Sequence, residues 1–297
     1  MKHRLVILFT MLTTSFVSAQ EAGNYLFGNS NSSNYYPTYT PQSASRVYLS
    51  DSAFLIQANV MMNVIADSYV ATFGVSEIST SLPDANAKID ARIEKFVDAL
   101  SKLGVQEKNI YIDMTTQTLL ADYKINGNYA EQYISGYEQK KNVIVRFNKI
   151  DDLDKMVLAA SDQGIYDLAK VDYIVTDINT IYTQLFQSAL DVINSKKALY
   201  IQATGLNPEP VSEIYAESFL CYYPSQLYKS YTVNVSTLFY DYNSNQKRKD
   251  LPRNTTYYYD KLNYSGFDKV INPVVTEPAV EYVMTLQIKY NVDKSKK

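Results

Sequence analysis

The sequence is poor in the residues on which most catalytic chemistry depends. It contains one histidine, His3, one cysteine, Cys221, and no tryptophan. His3 lies in a segment that we expect to be cleaved, so the mature protein is predicted to contain no imidazole. Without histidine there is no Ser-His-Asp or Cys-His nucleophile system, no histidine general base and none of the usual zinc sites. We therefore predict a non-enzymatic protein with no catalytic residues, no metal site and no cofactor.

The single cysteine also excludes an internal disulfide. Cys221 lies between Leu220 and Tyr222 in a run typical of a strand, which favours a buried small hydrophobic residue. A reactive or intermolecular thiol is the alternative. A lipid-anchor cysteine would stand at the signal cleavage point, where Gln20 stands instead.

The first 19 residues have the pattern of an export signal. Lys2 and Arg4 precede an apolar run that threonine and serine interrupt, and Ala19 is a small residue at the predicted cleavage point. The run is too short for a membrane span, and the most apolar later stretch, residues 53–66, carries three amide side chains. We predict an exported protein, soluble or peripheral, without a transmembrane span.

Acidic side chains outnumber basic ones. Loss of Lys2 and Arg4 with the signal changes the formal net charge from −3 to −5. An acidic surface repels phosphate backbones, so no nucleic-acid partner is predicted. The basic cluster KRKD at 247–250 precedes tyrosines that could stack on bases, but we interpret it as a solvated loop.

Composition divides the chain into four parts. After the signal, residues 20–50 are rich in Asn, Ser, Thr, Tyr and Pro and lack periodic apolar spacing, which predicts a flexible linker. Order is predicted to begin near Ala53, within one domain at 51–292. Residues 293–297 form a basic tail.

Hydrophobic periodicity predicts the first elements of the domain. Alternating apolar residues after Ala53 and again after Asp67 predict two neighbouring strands in a hairpin. The next segment predicts a helix that Ser81 caps and Gly104 ends. Strands are predicted at 109–122 and 134–147, joined by a segment with an Asn126-Gly127 turn signal.

A cluster of aspartates follows the second of these strands in GYEQKKNVIVRFNKIDDLDKMV, residues 136–157. Asp151 stands where a helix N-cap belongs and Asp154 at the third helical position, so we interpret both as stabilising the start of a short helix. A calcium or acid-base site that also includes Asp152 is the alternative. The cluster lacks the glycine and distal glutamate of an EF-hand loop.

The rest of the domain is predicted to be a strand at 169–178, a long helix ending at Gly205, and a tyrosine-rich β region. In the last strand one face is regularly apolar, at Val280, Tyr282, Met284, Leu286, Ile288 and Tyr290, and the other carries Glu281, Thr285, Gln287 and Lys289. The predicted fold class is α+β, with a mixed, largely antiparallel sheet covered by two long helices and one short helix.

The order of these elements and four stretches of sequence resemble the SIMPL-domain family of exported bacterial proteins (DUF541). The stretches are ADSYVATFGVSE (66–77), LGVQEKNIYID (103–113), GYEQKKNVIVRFNKIDDLDKMVLAASDQG (136–164) and EPAVEYVMTLQIKYNV (277–292). The chain departs from the family where Ala66 replaces the usual proline and in a tyrosine-rich segment at about 218–276, which we predict to be an insertion into the domain.

The resemblance implies a SIMPL-like α+β domain of the cell envelope, periplasmic or outer-membrane associated, with an extracellular location as the alternative. It also implies a link to stress tolerance and, as occurs within the family, self-assembly. The family has no established site residues, so none is transferred to this chain.

Our leading hypothesis is a non-catalytic envelope protein that acts by self-association, as a homo-oligomer, or by binding envelope proteins or glycans. Tyrosine is a large amphipathic contact residue, so the interface residues predicted from the tyrosine-rich region are Tyr222, Tyr223, Tyr257, Tyr258 and Tyr259. Ordinary packing within a sheet would also explain them.

Two other hypotheses stay open. A glycan-binding module or a carboxylate-only glycan-active enzyme could use Glu213, Glu217 and Glu277, although no spacing pairs them and tryptophan is absent. An adhesin or filament subunit would use strand edges and a flexible export linker.

Overall fold

The structure, a computed structural model, describes residues 47–50, 53–206, 208–232 and 255–292. Its strands are β1 (Val47–Leu49), β2 (Ala53–Val64), β3 (Ser68–Ser79), β4 (Ile110–Asn126), β5 (Tyr129–Phe147), β6 (Asp167–Ile174), β7 (Pro208–Tyr222), β8 (Tyr228–Thr232), β9 (Thr255–Tyr259), β10 (Lys269–Ile271) and β11 (Val280–Val292). Its helices are α1 (Leu82–Lys102), α2 (Asp152–Ser161), α3 (Ile178–Thr204) and the four-residue α4 (Pro224–Leu227), with 3₁₀ turns at Glu107–Asn109 and Tyr264–Gly266.

The strands form two main sheets and one separate hairpin. Sheet A has the order β1-β2-β11-β7, and β10 adds to β2 in parallel. Sheet B has the order β4-β5-β3-β6, and β8 pairs with β9. The other pairings are antiparallel. The predicted α+β class with largely antiparallel strands is confirmed. The strands are divided between two main sheets and a hairpin, whereas one sheet was predicted.

The predicted hairpin of the first two long strands is wrong. β2 pairs with β1, β10 and β11, whereas β3 pairs with β5 and β6 in the other sheet. The link between β2 and β3 is fixed to the end of β6, because the carboxylate of Asp67 accepts hydrogen bonds from Thr176 N (3.0 Å) and Thr176 Oγ1 (2.8 Å). Alternation predicts a strand correctly but does not identify its partner.

Each long helix covers one sheet. α1 packs on β3 and β5, and α3 packs on β2 and β11. The predicted cap of α1 is confirmed, since Ser81 Oγ accepts from Asp84 N at 3.4 Å. α3 ends, as predicted, at Gly205, which has a φ of 70°. Among the described residues, we find no helix with the length and apolar character that crossing a bilayer requires.

One hydrophobic core joins the two sheets and both long helices. The predicted apolar face of β11 is confirmed, because Val280, Tyr282, Met284, Leu286, Ile288 and Tyr290 are all buried. The opposite face of β11 differs from the prediction of a half-buried strand. Glu281 on that face is 0% exposed, because Tyr259 at the end of β9 and Leu262 after it cover the side chain.

The predicted cap of α2 is wrong in its mechanism. Asp151 occupies the N-cap position, but its backbone is helical and its side chain makes no capping hydrogen bond. The N–H groups of Asp152 and Leu153 donate to the carbonyl oxygens of Lys149 (3.0 Å) and Ile150 (2.9 Å). A turn that precedes the helix therefore satisfies these donors, and the carboxylate of Asp151 is not needed for it.

Order begins before the predicted start of the domain. Val47–Leu49, in the range predicted as linker, pair with Phe54–Ile56, and Val47 packs against the core. Four other predictions concern residues outside the described part of the chain. They are the signal at 1–19, most of the linker, the KRKD cluster and the basic tail.

Candidate functional site

The five tyrosines predicted as an interface differ in exposure. Tyr257, Tyr258 and Tyr259 lie on β9, which pairs with β8 in a unit that we call the tyrosine hairpin, residues 228–232 and 255–259. Tyr257 and Tyr258 are exposed by 47% and 45%. Tyr259 is half-buried, and its hydroxyl lies against Glu281. Tyr257 and Tyr258 therefore present more of their side chains to a partner than Tyr259 does.

The other two predicted tyrosines, Tyr222 and Tyr223, are half-buried at the end of β7. Tyr223 packs against the core beside Cys221. Burial raises the pKa of the Cys221 thiol to about 11, while hydrogen bonds with Tyr223 and Tyr282 act in the opposite direction. A thiol with a raised pKa is a poor nucleophile, which supports the interpretation of Cys221 as a small packing residue.

Several exposed apolar side chains lie elsewhere, on the long hairpin of β4 and β5. β3 pairs with β5 only from Tyr137 to Phe147, so residues 120–136 of the β4–β5 hairpin extend beyond the sheet as a two-stranded arm. All residues from 121 to 135 are exposed. The sequence predicted most of this segment as a connection between two shorter strands. It is instead continuous strand on both sides of a two-residue turn at Gly127 and Asn128.

The arm has one largely apolar face and one face that carries three charged residues, an amide and two tyrosines. Residues directly opposite each other in an antiparallel pair share a face. Cross-strand pairing places Ala121 opposite Ile134, Tyr123 opposite Gln132 and Ile125 opposite Ala130 on one face. On the other face the pairs are Asp122 with Tyr133, Lys124 with Glu131, and Asn126 with Tyr129. Because the apolar face carries Ile125 (81% exposed), Tyr123 (61%) and Ile134 (58%), we treat it as the candidate interaction surface.

The apolar face of the arm continues the face of sheet B that α1 covers. At the first turns of α1, Asn86 accepts a hydrogen bond from Gln139 Nε2 (3.1 Å) on that face. Tyr137, two residues nearer the arm, stands opposite Leu119, which is 53% exposed. The covered surface therefore ends near the N-terminus of α1, and the apolar surface continues past it.

Gly136 marks the root of the arm. A Cβ atom at this position would lie 2.9 Å from the carbonyl oxygen of Ser79, the last residue of β3. Any larger residue would therefore push β5 away from β3 where the arm leaves the sheet. A register shift between Leu120 and Ala121 lies at the same level of the hairpin. Such bulges bend a strand pair and increase its twist.

A second candidate site is a cavity of about 280 Å³ over sheet A. A chain of amides lines it: Gln287 Nε2 donates to Gln57 Oε1 (2.7 Å), and Gln57 Nε2 donates to Asn59 Oδ1 (2.9 Å). The remaining lining residues are Ala216, Glu217, Ser218, Leu220 and Thr285. Gln57 and Asn59 are 4% and 1% exposed. Neutral donors and acceptors of this kind suit a neutral polar ligand.

The three carboxylates considered for glycan chemistry are not brought together as a pair. Glu213 Oε1 lies 2.5 Å from Lys289 Nζ, and Glu217 Oε1 accepts a hydrogen bond from Tyr182 Oη at 2.6 Å. Glu277 lies close enough to Tyr69 to raise the pKa of that phenol, a smaller effect than burial. Among the described residues, no group of three or more potential metal ligands comes together, and Asp151, Asp152 and Asp154 form none.

The arm was not predicted from the sequence. The signal was present, because Leu119, Ala121, Tyr123 and Ile125 alternate with polar residues up to the Asn126-Gly127 turn. This alternation is a strand pattern, but a turn signal inside a polar, tyrosine-containing segment favours a loop. A β-hairpin that carries its strand pattern up to its turn would have been the correct interpretation.

Comparison with known proteins gives a family but no function. The profile of the SIMPL family, described as a protein of unknown function (DUF541), matches residues 56–248. The match includes both long helices and the arm, and it extends into the segment 218–276 that was predicted to be an insertion. It ends before β11. No curated protein matches the chain. Because the profile covers more than half of the sequence, the chain belongs to the SIMPL (DUF541) family.

Proposed function

We propose that this protein is a non-catalytic component of the cell envelope that works by self-association through its arm. The single observation that carries the proposal is the apolar face of residues 121–134, which extends beyond α1 and the rest of sheet B. An exported location, periplasmic or outer-membrane associated, and a link to stress tolerance belong to the same proposal.

The physical reason for a partner is that an isolated strand pair is barely stable in water. Two-stranded hairpins need a third strand or a packed apolar face to gain independent stability. The arm has neither within the described chain, because β3 ends at Ser79 and α1 covers only the part of the face nearer the core. Covering Tyr123, Ile125 and Ile134 would supply the missing burial.

A second copy of this chain fits the arm better than an unrelated partner because the outer edge of β4 is complementary to itself. Suppose that two β4 strands pair antiparallel about a two-fold axis at Tyr123. Asp122 of each copy then stands opposite Lys124 of the other, and Ala121 opposite Ile125. Opposite charges face each other twice, and the two apolar faces continue into one. The resulting sheet has four strands at the contact, which removes an exposed edge from each copy.

The first test is the mass in solution of the purified protein beginning at Gln20, by light scattering coupled to size exclusion across a concentration series. The proposal expects an oligomer in the wild type. The double variant Tyr123→Lys/Ile125→Lys places two charges on the apolar face and is expected to shift the protein to a monomer. The matched control is Leu158→Lys/Tyr166→Lys, which adds two charges at apolar residues of similar exposure (68% and 77%) away from the arm.

The register of the contact has its own test. Asp122→Lys alone sets two lysines against each other at the proposed contact, and Lys124→Asp alone sets two aspartates together. Both variants should weaken association, whereas an equimolar mixture of the two should restore it, because each copy then meets its complement. A wild type that stays monomeric at every concentration would contradict self-association. An oligomer whose mass is unchanged by every arm substitution would contradict the proposal that the arm is the site of association.

The amide-lined cavity favours a second candidate function, a glycan-binding module. Sugar hydroxyl groups both donate and accept hydrogen bonds, as do the side chains around Gln57 and Gln287. The test is titration calorimetry with a panel of neutral oligosaccharides, comparing the wild type with Gln287→Leu. Gln226→Leu, at an exposed glutamine outside the cavity, is the control. Binding that Gln287→Leu abolishes and Gln226→Leu preserves supports this function, and no binding to any member of the panel contradicts it.

A further inference from the structure

A buried carboxyl group lies between the tyrosine hairpin and sheet A. Glu281 on β11 is 0% exposed, and its side chain is on the face that α3 does not cover. In the sheet it stands opposite Asn63 of β2 and Tyr222 of β7. Above it lie Tyr259, the last residue of β9, and Leu262. A buried carboxyl group without a paired cation is costly when ionised.

The hydrogen bonds around Glu281 can be counted proton by proton. Leu262 N–H donates to Glu281 Oε2 at 3.0 Å. Tyr259 Oη lies 2.7 Å from Glu281 Oε1 and 3.0 Å from the carbonyl oxygen of Ala279. The phenol has one proton, and an ionised carboxylate and a carbonyl can only accept. With Glu281 ionised, one of these two short contacts therefore has no proton of its own.

A proton on Glu281 completes the network. The carboxylic acid O–H then donates from Oε1 to Tyr259 Oη, and the phenol is free to donate to Ala279 O. Oε2 continues to accept from Leu262 N–H. All three contacts are then ordinary hydrogen bonds, and no charge is buried.

Some of the groups around Glu281 raise its pKa and others lower it. Burial is the largest influence and raises the pKa of Glu281, and the carboxylate of Asp260 raises it further. Hydrogen bonds from Tyr259 and Leu262 and the ammonium of Lys261 lower it, but the net direction is upward. Asn63 is neutral, and burial raises the pKa of the Tyr259 phenol, so neither brings a charge to this place.

We propose that Glu281 is a proton-dependent latch. As a neutral acid it fastens the end of the tyrosine hairpin to sheet A, and its ionisation releases that fastening. The released part is limited, because separate ties hold the chain that follows. Asp268 accepts from Asn59 N (2.8 Å) and pairs with Lys196 (2.6 Å), and Tyr264 Oη accepts from Asn63 Nδ2 (2.8 Å). Loosening should therefore be confined to the hairpin and to the residues up to Leu262.

The direction of the pH effect follows from linkage. The folded protein binds the Glu281 proton more tightly than the unfolded chain does, so the stabilisation is complete below the ordinary carboxyl pKa of 4.5. It is lost as the pH rises through the raised value. Each unit between the two values corresponds to about a tenfold change in the equilibrium between latched and released states.

Two measurements on the wild-type protein test the latch directly. The first follows the side-chain carboxyl carbon of Glu281 by NMR from pH 3 to pH 9, in the range set by ordinary and raised carboxyl values. The second follows hydrogen exchange of the Leu262 amide, corrected for intrinsic exchange, over the same range. The proposal expects a titration midpoint above 4.5 and a loss of Leu262 protection of about tenfold per pH unit between 4.5 and that midpoint, which levels off above it. The amide of Asn59, held by Asp268, is the internal control and should not respond.

A substitution separates the proton from the rest of the network. Glu281→Gln keeps the shape of the neutral acid and cannot ionise, so protection of Leu262 should become independent of pH and should match the protonated wild type. An ordinary midpoint for Glu281, or Leu262 protection in the wild type that is flat across the range, would overturn the proposal even if the variant does not fold.

Discussion

The arm and the tyrosine hairpin are both antiparallel strand pairs rich in tyrosine, yet they stand in opposite relations to the core. Residues 121–135 of the arm are exposed on both faces. The tyrosine hairpin is fixed to sheet A at its end, where Tyr259 meets Glu281. Burial therefore differs between them although their composition is similar. The number of tyrosines in a segment does not indicate whether they pack within the protein or contact a partner. The hydrogen-bond partners of each hydroxyl group do indicate it.

The largest effect is expected from removing the anchor that follows the tyrosine hairpin. Asp268→Ala removes the carboxylate that pairs with the mostly buried ammonium of Lys196 and accepts from the N–H of Asn59, and it leaves Lys196 with only the carbonyl oxygen of Gln57 as acceptor. We expect a loss of about 3 kcal/mol in the free energy of unfolding, measured by urea denaturation. Asp98→Ala, at an exposed acid on α1, should stay within about 0.5 kcal/mol. Equal effects of the two substitutions would show that the anchor contributes nothing.

The next effect concerns the root of the arm. Gly136→Ala forces a Cβ atom against the carbonyl oxygen of Ser79, and we expect a cost of about 2 kcal/mol in unfolding free energy. Gly127→Ala at the tip of the arm has no neighbour within 4 Å, so its cost of about 1 kcal/mol arises only from its positive φ of 60°. A larger cost at the tip than at the root would contradict the close approach at Gly136.

A smaller effect distinguishes two adjacent tyrosines of β9. Tyr259→Phe removes the hydroxyl that lies between Glu281 and Ala279 and should cost about 1 kcal/mol of unfolding free energy. Tyr258→Phe, at an exposed side chain, should change it by less than about 0.5 kcal/mol. Thermal unfolding at one protein concentration and one pH is sufficient. The comparison fails if the two variants behave alike.

The smallest effect is expected on the arm of the monomer. Ile125→Ser removes a side chain that is 81% exposed, so unfolding free energy in dilute solution should change by less than about 0.5 kcal/mol. At concentrations where the protein associates, the same variant should lose more unfolding free energy, because the proposed partner no longer covers an apolar residue. Urea denaturation at two widely separated protein concentrations measures both values. A loss that is the same at both would contradict coverage of the arm by a second copy.

The parts of the fold that the sequence predicted are those set by neighbouring residues. The face of β11 and the two long helices follow from periodicity, and Ser81 and Gly205 mark helix ends by local geometry. Pairing was predicted less well. β2 and β3 are adjacent in the chain but belong to different sheets, because their partners lie far away in sequence.

The candidate sites were harder to predict for the same reason. Alternation along β11 predicts that Glu281 faces solvent, but Tyr259 and Leu262 cover it from a separate segment. The arm was missed because its turn signal favours a loop, whereas only the pairing of β4 with β5 shows how far the strands continue. Of the predicted tyrosines, Tyr257 and Tyr258 are exposed, and Tyr222, Tyr223 and Tyr259 are half-buried.

The pairing of β2 with β11 has a consequence for the order of folding. These are the first and last long strands of the described chain, and their pairing runs from Ala53 with Asn291 to Val64 with Val280. Sheet A therefore closes through contacts of very long sequence separation, which slow folding because most of the chain must be ordered before they form. During synthesis β2 cannot pair with β11 until this last strand has been made. We expect sheet A to remain unfolded in the nascent chain until that moment, and the export that we propose would require such an unfolded state.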